Sequence, residues 1–243
     1  MSDAPMEGAP AAARGNVLEE LVDMLVAPAR AFAALRTRGA WPHVIILSLL
    51  TLVVVIALRG LLEPFLEANM AVAMRQAAAK GQPVPPEAAR AMGSFAWWGF
   101  VVTSAFTVGL AALIGGAALW AAGLLLKVAL PFQRAVVIGA VAAVTVPFSM
   151  LAMGVQGAFL DPAAIRGLTD ASLGPARFFD PATTAPALLA MVSRIDLLGL
   201  WGVALQAIGV GVVAGVPRKT GWAVAGLAWA LSTIVSSIPA VLF

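Results

Sequence analysis

Two ionisable residues stand where long apolar runs begin or end, a position at which a charge can perform chemistry or hold structure. Arg59 lies near the end of the first run, and Asp196 opens the run that ends at Val216. A charged residue within or beside a membrane segment is costly and usually has a partner or a function. The sequence predicts an interfacial Arg59–Asp196 ion pair or a solvated Asp196 that caps its helix. A transport or binding role is the alternative.

Polar side chains also occur inside runs that are otherwise typical of membrane helices, and the main ones are Gln156, Gln206 and Ser236. In lipid, such side chains bond to their own helix or bridge to a neighbour. We predict interhelical hydrogen bonds, with a polar site or solute path as the alternative. Gln206 is the best candidate for a site, because its run also carries small residues four apart that predict close helix packing, namely Ala207, Gly211 and Gly215.

Catalysis and cofactor binding have little support. The chain has no cysteine and one histidine, His43, which excludes thiolate chemistry and any site built on several imidazoles. A structural or catalytic zinc ion needs three or four protein ligands, and no HExxH, GxSxG or P-loop pattern occurs. The glycines at 209–215 resemble a dinucleotide loop, but such a loop must follow a strand. We predict no enzymatic activity, metal, cofactor or nucleic-acid partner.

The elements that must position these residues are membrane helices. About 61% of the residues are apolar and 11% are charged, whereas a soluble domain has roughly 25% charged residues. The apolar runs are continuous and do not alternate with polar residues, which indicates helices and not barrel strands. We predict an all-α integral membrane protein with five transmembrane helices, at about 41–62, 95–127, 135–160, 195–216 and 221–242.

Two of the predicted spans have irregular features. The uncharged stretch 91–126 is too long for one crossing and too short for two with a turn, so we predict one long helix. Whether 91–98 belongs to the span stays open. Pro147 removes a backbone hydrogen bond within the third span and predicts a kink there. Between the spans, we predict an interfacial helix in 63–90 and a long loop over 161–190.

The N-terminal part is different in character. Residues 1–15 are rich in alanine, proline and glycine and predict a disordered tail. Residues 16–40 predict an amphipathic helix that either lies in the membrane interface or packs beneath the spans. Short basic turns favour the cytoplasmic side, which predicts an internal N-terminus and an external C-terminus. The basic residues of those turns are Lys127, Arg134, Arg218 and Lys219.

Several short segments resemble the bacterial branch of the Yip-domain (Ypt-interacting protein) family. They are Gly-Leu-Thr-Asp-Ala-Ser-Leu-Gly-Pro at 167–175, Asp-Leu-Leu-Gly-Leu-Trp at 196–201 and Ala-Ile-Gly at 207–209, with further signals at Pro28–Phe32 and Thr145–Pro147. Leu198-Gly199 departs from the family, which often carries a bulky residue there. The resemblance covers about residues 25–240 and implies a five-helix membrane domain. Eukaryotic relatives bind prenylated Rab-type GTPases, a role that does not transfer to a bacterial chain.

Two functional hypotheses follow from these features. The first is a non-enzymatic protein of the bacterial inner membrane that acts as a scaffold, as an accessory subunit of a membrane assembly, or in lipid and envelope organisation. Its partners would be the bilayer and either a second membrane protein or further copies of itself. The alternative is a transporter of a small solute or lipid with a polar site at the middle of the membrane.

Overall fold

The computed structural model describes residues 17–35, 39–82 and 84–242, without the side chains of 17–21, 86, 89–91, 94 and 236–242. This part of the chain contains α-helices and short 3-10 turns and no strands, which confirms the all-α prediction. The predicted tail at 1–15 lies outside the described residues. The helices are α1 (Val17–Val26), α2 (Pro28–Ala34), α3 (Trp41–Ala57), α4 (Arg59–Ala79), α5 (Pro86–Leu125), α6 (Phe132–Ala142), α7 (Thr145–Phe159), α8 (Pro186–Val192), α9 (Leu197–Ala214) and α10 (Arg218–Leu242).

Three segments of the described chain are long and apolar enough to cross a membrane, and α3 with α4 makes a fourth if the bent pair is one span. The three segments are Phe95–Leu125, Phe132–Phe159 and Leu197–Ala214. Large apolar side chains are exposed at helical spacing on α5, including Trp98, Val102 and Phe106. A soluble monomer rarely exposes such a surface. The helices therefore indicate a multi-pass membrane protein.

The first predicted span, 41–62, is not one straight helix. Helix α3 ends at Ala57, and α4 leaves it at an angle of 87° after Leu58. Arg59, Glu63 and Glu67 follow within α4, and their charges disfavour a continued path through hydrocarbon. Helix α4 extends into the region where an interfacial helix was predicted and ends at Ala79, ahead of Gly81.

Helix α5 is one uninterrupted helix, as predicted. Its 40 residues, about 60 Å, make it longer than the predicted 95–127, because it begins at Pro86. Its membrane-compatible part begins at Phe95, so residues 86–94 extend beyond it. Lys127 ends the helix in a left-handed conformation with φ of 55°. The amide of Val128 then donates to the carbonyl of Gly123 over 2.8 Å, which satisfies one of the last helical carbonyls.

The third span is divided close to Pro147, in agreement with the predicted kink. Helix α6 ends at Ala142, and α7 begins at Thr145 with Pro147 as its third residue. Proline has no amide hydrogen to donate to the carbonyl four residues earlier, which weakens the helix at this point. Helix α6 packs along α5, whereas α7 packs against α3 and α4. The break thus separates α7 from α5.

Helices α9 and α10 form an antiparallel hairpin. Helix α9 ends at Gly215, which has a φ of 65°, and α10 begins directly after Pro217. The turn is therefore shorter than predicted, and Arg218 and Lys219 lie in the first turn of α10. Both helices share a buried cluster with the end of α5 and the start of α6. We call the side of the bundle that carries Lys127, Arg134, Arg218 and Lys219 the basic end. The opposite side, which carries residues 161–196, is the loop end.

The N-terminal helices pack against the bundle near the basic end. Phe32 of α2 is fully buried beside Gly209 of α9, and Met24 and Leu35 join the same cluster. Of the two predictions for 16–40, the structure favours packing against the spans for α2. Helix α1 instead exposes an apolar surface, with Val26 76% exposed.

Candidate functional site

A cavity of about 610 Å³ lies between α5, α7, α9 and α10 and reaches the loop end of the bundle. It occupies the space that the break in the third span opens between α5 and α7. Most of its walls are apolar, including Ile114, Met153, Val203 and Trp229. Its polar groups come from the segment 168–173, from residues 193–196 and from a few positions within the spans. The volume is within the range of about 300–1,000 Å³ that ligand pockets usually have.

Asp196 organises the loop end of this cavity. One carboxylate oxygen accepts a hydrogen bond from the amide of Leu198 over 3.0 Å and so caps α9. The other accepts from the Ser172 hydroxyl over 3.1 Å and from the Leu173 amide over 2.7 Å. A Cβ on Gly174 would overlap the carbonyl oxygen of Ile195, so only glycine fits at this contact. The two segments 167–175 and 196–201 are thereby held together.

Arg194 is the cationic group that lines the cavity. Its terminal nitrogen donates to the Ser232 hydroxyl of α10 over 2.9 Å, and its Nε is buried with no hydrogen-bond partner in the described part of the chain. Burial lowers the pKa of this guanidinium from its usual value. The sequence analysis missed Arg194. Its position could have indicated a role, because Arg194 stands directly before the fourth apolar run and two residues ahead of Asp196.

Gln206 brings a polar group to the middle of the cavity. It lies halfway along α9, and its amide nitrogen faces Gly115 of α5. Within the described residues, its side chain makes no hydrogen bond. Thr145 and Ser149, which also line the cavity, donate their hydroxyl hydrogens to carbonyls of their own span. Their oxygens can still accept a hydrogen bond, so this zone offers a primary amide and two acceptors.

Gln156 and Ser236 do not join Gln206 in this arrangement. The Gln156 amide nitrogen donates to the carbonyl of Ala171 over 2.7 Å and ties α7 to the loop. Gln156 does not line the cavity. The Ser236 side chain lies outside the described residues. Of the three predicted polar positions, one lines the cavity and one links a helix to a loop.

The predicted Arg59–Asp196 ion pair is wrong, although the alternative of a helix cap describes one part of what Asp196 does. Arg59 approaches Glu63 one turn further along α4, at 3.5 Å, and its guanidinium lies 5.2 Å from the ring centroid of Trp97. Asp196 instead binds donors from its own helix and from the loop. Arg59 thus has a carboxylate four residues along its own helix and an aromatic face nearby, so it needs no distant partner.

The predicted small-residue face of α9 is a packing surface along part of its length. Gly221 of α10 lies so close that a Cβ there would overlap the carbonyl oxygen of Ala207, and it also approaches the amide nitrogen of Gly211. Such close backbone approach is typical of small residues in membrane helices. Gly215 has a different role, since it ends α9, and a Cβ there would meet nothing within 4 Å.

A second polar cluster fixes the loop beside the cavity. Arg166 donates to the Asp170 carboxylate and, over 2.8 Å, to the carbonyl of Arg177. The hydrogen bond to Asp170 raises the pKa of Arg166. Thr169 lies between Arg166 and Asp170 in the sequence and lines the cavity. Its buried hydroxyl has no partner within the described chain. The loop is therefore internally paired and leaves a polar atom of Thr169 at the cavity.

Comparison of the chain with protein-family models, with curated proteins and with solved structures found no match.

Proposed function

We propose that this chain is a non-enzymatic protein of the bacterial inner membrane that binds an amphipathic molecule in the cavity and so carries or presents a lipid or small solute. The observation that carries the proposal is the position of the cavity. It runs from charged groups at the loop end to Gln206 in the middle of α9, between otherwise apolar walls. An amphiphile has the matching distribution of polar and apolar parts.

We propose that the protein is not an enzyme because the ionisable groups that line the cavity are poorly suited to proton transfer. Among the lining residues, these are Arg194 and Asp196. The oxygens of Asp196 already accept three hydrogen bonds, from Ser172, Leu173 and Leu198, so they are engaged in holding the structure. Arg194 cannot act as a base because arginine stays protonated. The lining therefore favours binding over proton transfer.

We propose five membrane spans: α3, α5, α6 with α7, α9 and α10. Helix α3 has 17 residues, about 25 Å, which is short for a hydrocarbon core of about 30 Å. Helix α4 would then lie along the membrane surface. Helix α10 has 25 residues, about 37 Å, and its first turn carries Arg218 and Lys219. Those two charges fit an interface and leave the rest of α10 within the bilayer.

We propose that the basic end faces the cytoplasm, so that the N-terminus is internal and the C-terminus external. Lys127 and Arg134 flank one turn of this end, and Arg218 and Lys219 follow the other. A cysteine placed at Thr183 of the loop should react with a membrane-impermeant maleimide in intact cells. A cysteine at Lys219 should react only after permeabilisation, and the reverse pattern would invert the orientation.

Membership of the bacterial branch of the Yip-domain family stays a proposal. Its support is that the two segments that carry most of the resemblance, 167–175 and 196–201, are joined through Asp196 and the Leu173 amide. Contact between these segments gives a physical reason for their joint occurrence. The family relationship adds a five-helix membrane domain and no substrate.

The cavity proposal is tested by measuring what the purified protein carries. Gly202 lines the cavity, and a Cβ there would make only ordinary contact with Thr145 at 3.6 Å. Gly202→Leu should therefore fill the cavity from a tolerated position. Gly99→Leu is the matched control, because Gly99 is exposed on α5 with nothing within 4 Å of its added Cβ.

Native mass spectrometry of the protein extracted in polymer discs should find one retained amphiphile in the wild type and in Gly99→Leu. Gly202→Leu should lose it. Equal retention in all three, or none in the wild type, would reject the cavity as a binding site.

The scaffold or accessory-subunit hypothesis stays the second candidate because of α1. Val22, Leu25 and Val26 expose apolar surface on this helix, close to the Asp23–Arg30 ion pair. Such a face fits the bilayer surface, a second membrane protein or another copy of the chain. The same mass measurement separates the candidates, since a stoichiometric protein partner would favour the scaffold and a lone chain with an amphiphile the carrier.

A further inference from the structure

Arg194 has hydrogen-bonding capacity that the described protein does not use. A guanidinium carries five N–H donors and accepts nothing, and one of these donors binds Ser232. Within the described residues, the Nε–H is buried without a hydrogen-bond partner. A buried donor left unsatisfied costs roughly 1–3 kcal/mol, and more when it is charged. A buried donor without a protein partner is a place where an ordered water, an ion or a ligand can bind.

We infer that Arg194 binds the phosphate or carboxylate head of an anionic amphiphile whose apolar chain lies in the cavity. This inference rests on the proposed function and adds to it the charge of the ligand and the residue that recognises it. The Nε–H and a terminal N–H of one guanidinium form a fork that matches two oxygens of a phosphate or carboxylate. Arg194 lines the cavity, so its unused donors are at the place where a ligand head would lie.

The charges around Arg194 favour an anion. Asp196 also lines the cavity, but its two oxygens already accept hydrogen bonds from Ser172, Leu173 and Leu198. Asp196 and Arg194 form no ion pair within the described structure. Arg166 and Asp170 of the neighbouring loop neutralise each other. The guanidinium is thus the group with unsatisfied donors, and the carboxylate is largely saturated.

The cavity walls favour an amphiphile over a free ion. Beyond the polar groups near Arg194, the lining includes Ile114, Ala118, Met153 and Val203. A free phosphate ion would gain nothing from these side chains. Burying an alkyl chain there contributes about 0.8 kcal/mol per methylene group. The Thr169 hydroxyl is buried at the same cavity and has no partner among the described residues. It supplies a further group for the oxygens of the head.

The test uses three probes that separate head from chain. They are dodecyl phosphate, 1-dodecanol with the same chain and no charge, and inorganic phosphate with a similar head and no chain. Each is added to the full-length protein, stripped of lipid in a neutral sugar detergent, and bound fractions are measured by native mass spectrometry. Arg194→Gln removes the charge. The matched control is Arg177→Gln, which removes one arginine from the same end of the bundle but outside the cavity lining.

We expect the wild type and Arg177→Gln to bind dodecyl phosphate at least about tenfold more tightly than dodecanol, because a hydrogen bond to a charged group is worth an order of magnitude or more. Arg194→Gln should bind both probes alike. If Arg194→Gln does not fold, Arg194→Lys serves instead, since it keeps the charge and loses the fork. That variant should bind dodecyl phosphate more weakly than the wild type.

Three other results would each reject a different claim: the role of Arg194, the amphiphilic nature of the ligand, or binding in the cavity. Undiminished binding of dodecyl phosphate by both Arg194 variants rejects the role of Arg194 and leaves the cavity proposal intact, provided Gly202→Leu still blocks binding. Inorganic phosphate that binds as tightly as dodecyl phosphate rejects the amphiphile. Failure of the wild type to bind either dodecyl probe rejects the proposed function itself.

Discussion

Arg194 donates a hydrogen bond to Ser232 over 2.9 Å, which connects the residues ahead of α9 to α10 on the loop end of the bundle. Ser232 in turn donates to the carbonyl of Trp229 in its own helix. The hydroxyl is therefore used as donor and acceptor, and it holds the guanidinium at the wall of the cavity.

Ser232→Ala should destabilise the protein because it removes the hydrogen-bond partner of a half-buried charge. A hydrogen bond to a charged group contributes about 1.5–3 kcal/mol, so the thermal unfolding midpoint in neutral detergent should fall. Ser193→Ala is the control, since Ser193 is exposed and bonds only to the carbonyl of Leu189. That change should stay within about 0.5 kcal/mol. Equal midpoints for the two variants would contradict the role of Ser232.

Asp196→Asn should weaken the contact between α9 and the loop while it keeps the cap. The amide oxygen can still accept from Leu198, because asparagine caps helices as well as aspartate does. Its NH₂ group, however, would face the Leu173 amide and the Ser172 hydroxyl, which now donate to a carboxylate oxygen. We expect a loss of about 1–3 kcal/mol in the free energy of unfolding.

The control for this change is Asp161→Asn. Asp161 accepts one backbone hydrogen bond, from Ala163, in an exposed part of the loop. Its substitution should change the free energy of unfolding by no more than about 0.5 kcal/mol. Unaltered stability of Asp196→Asn, measured in the same detergent, would mean that Asp196 does not hold the loop.

Gly174→Ala should also destabilise the loop end, in this case through a steric clash and not through the loss of a charge. The added methyl group would overlap the carbonyl oxygen of Ile195, and rigid backbone must move to admit it. Such overpacking costs about 1–3 kcal/mol. Gly60→Ala is the matched variant, because nothing lies within 4 Å of its Cβ and Gly60 is in a helix. It should be neutral or stabilising, and a loss at Gly60 equal to that at Gly174 would refute the argument.

Pro147→Ala should bring α7 closer to α5 and reduce the cavity. The carbonyl of Ala143 now accepts from the Val146 amide over 3.0 Å. Alanine at 147 supplies the amide hydrogen for a regular helical bond to that carbonyl, so the third span can straighten. The chain has no cysteine, so spin labels at Val102→Cys and Leu151→Cys would be unique. Pulsed electron resonance should give a shorter distance between them in Pro147→Ala.

Pro42→Ala provides the comparison for that measurement. Pro42 lies in the first turn of α3, where proline displaces no helical hydrogen bond. The distance between the two labels should therefore match that of the protein with proline at both positions. A distance that is also unchanged in Pro147→Ala would show that Pro147 does not set the direction of α7.

Local features of the fold were predictable. The single long helix over 95–125, the start of α9 after Asp196 and the break near Pro147 depend on hydropathy, capping and proline chemistry over a few residues. The interfacial Arg59–Asp196 pair failed for the opposite reason. That prediction depended on the distance between the start of α4, at Arg59, and the start of α9, at Asp196. The direction of α4 follows from the bend of 87° after Leu58, which no local pattern indicated.

The sequence alone therefore established an all-helical membrane protein, because chain hydrophobicity and helix length act against a bilayer of nearly constant thickness. The side-chain partners needed the tertiary structure. The packing of Phe32 against Gly209, the contact of Arg194 with Ser232 and the separate fates of Gln156 and Gln206 depend on how helices cross. Crossings follow from shape complementarity between residues distant along the chain, which no local pattern records.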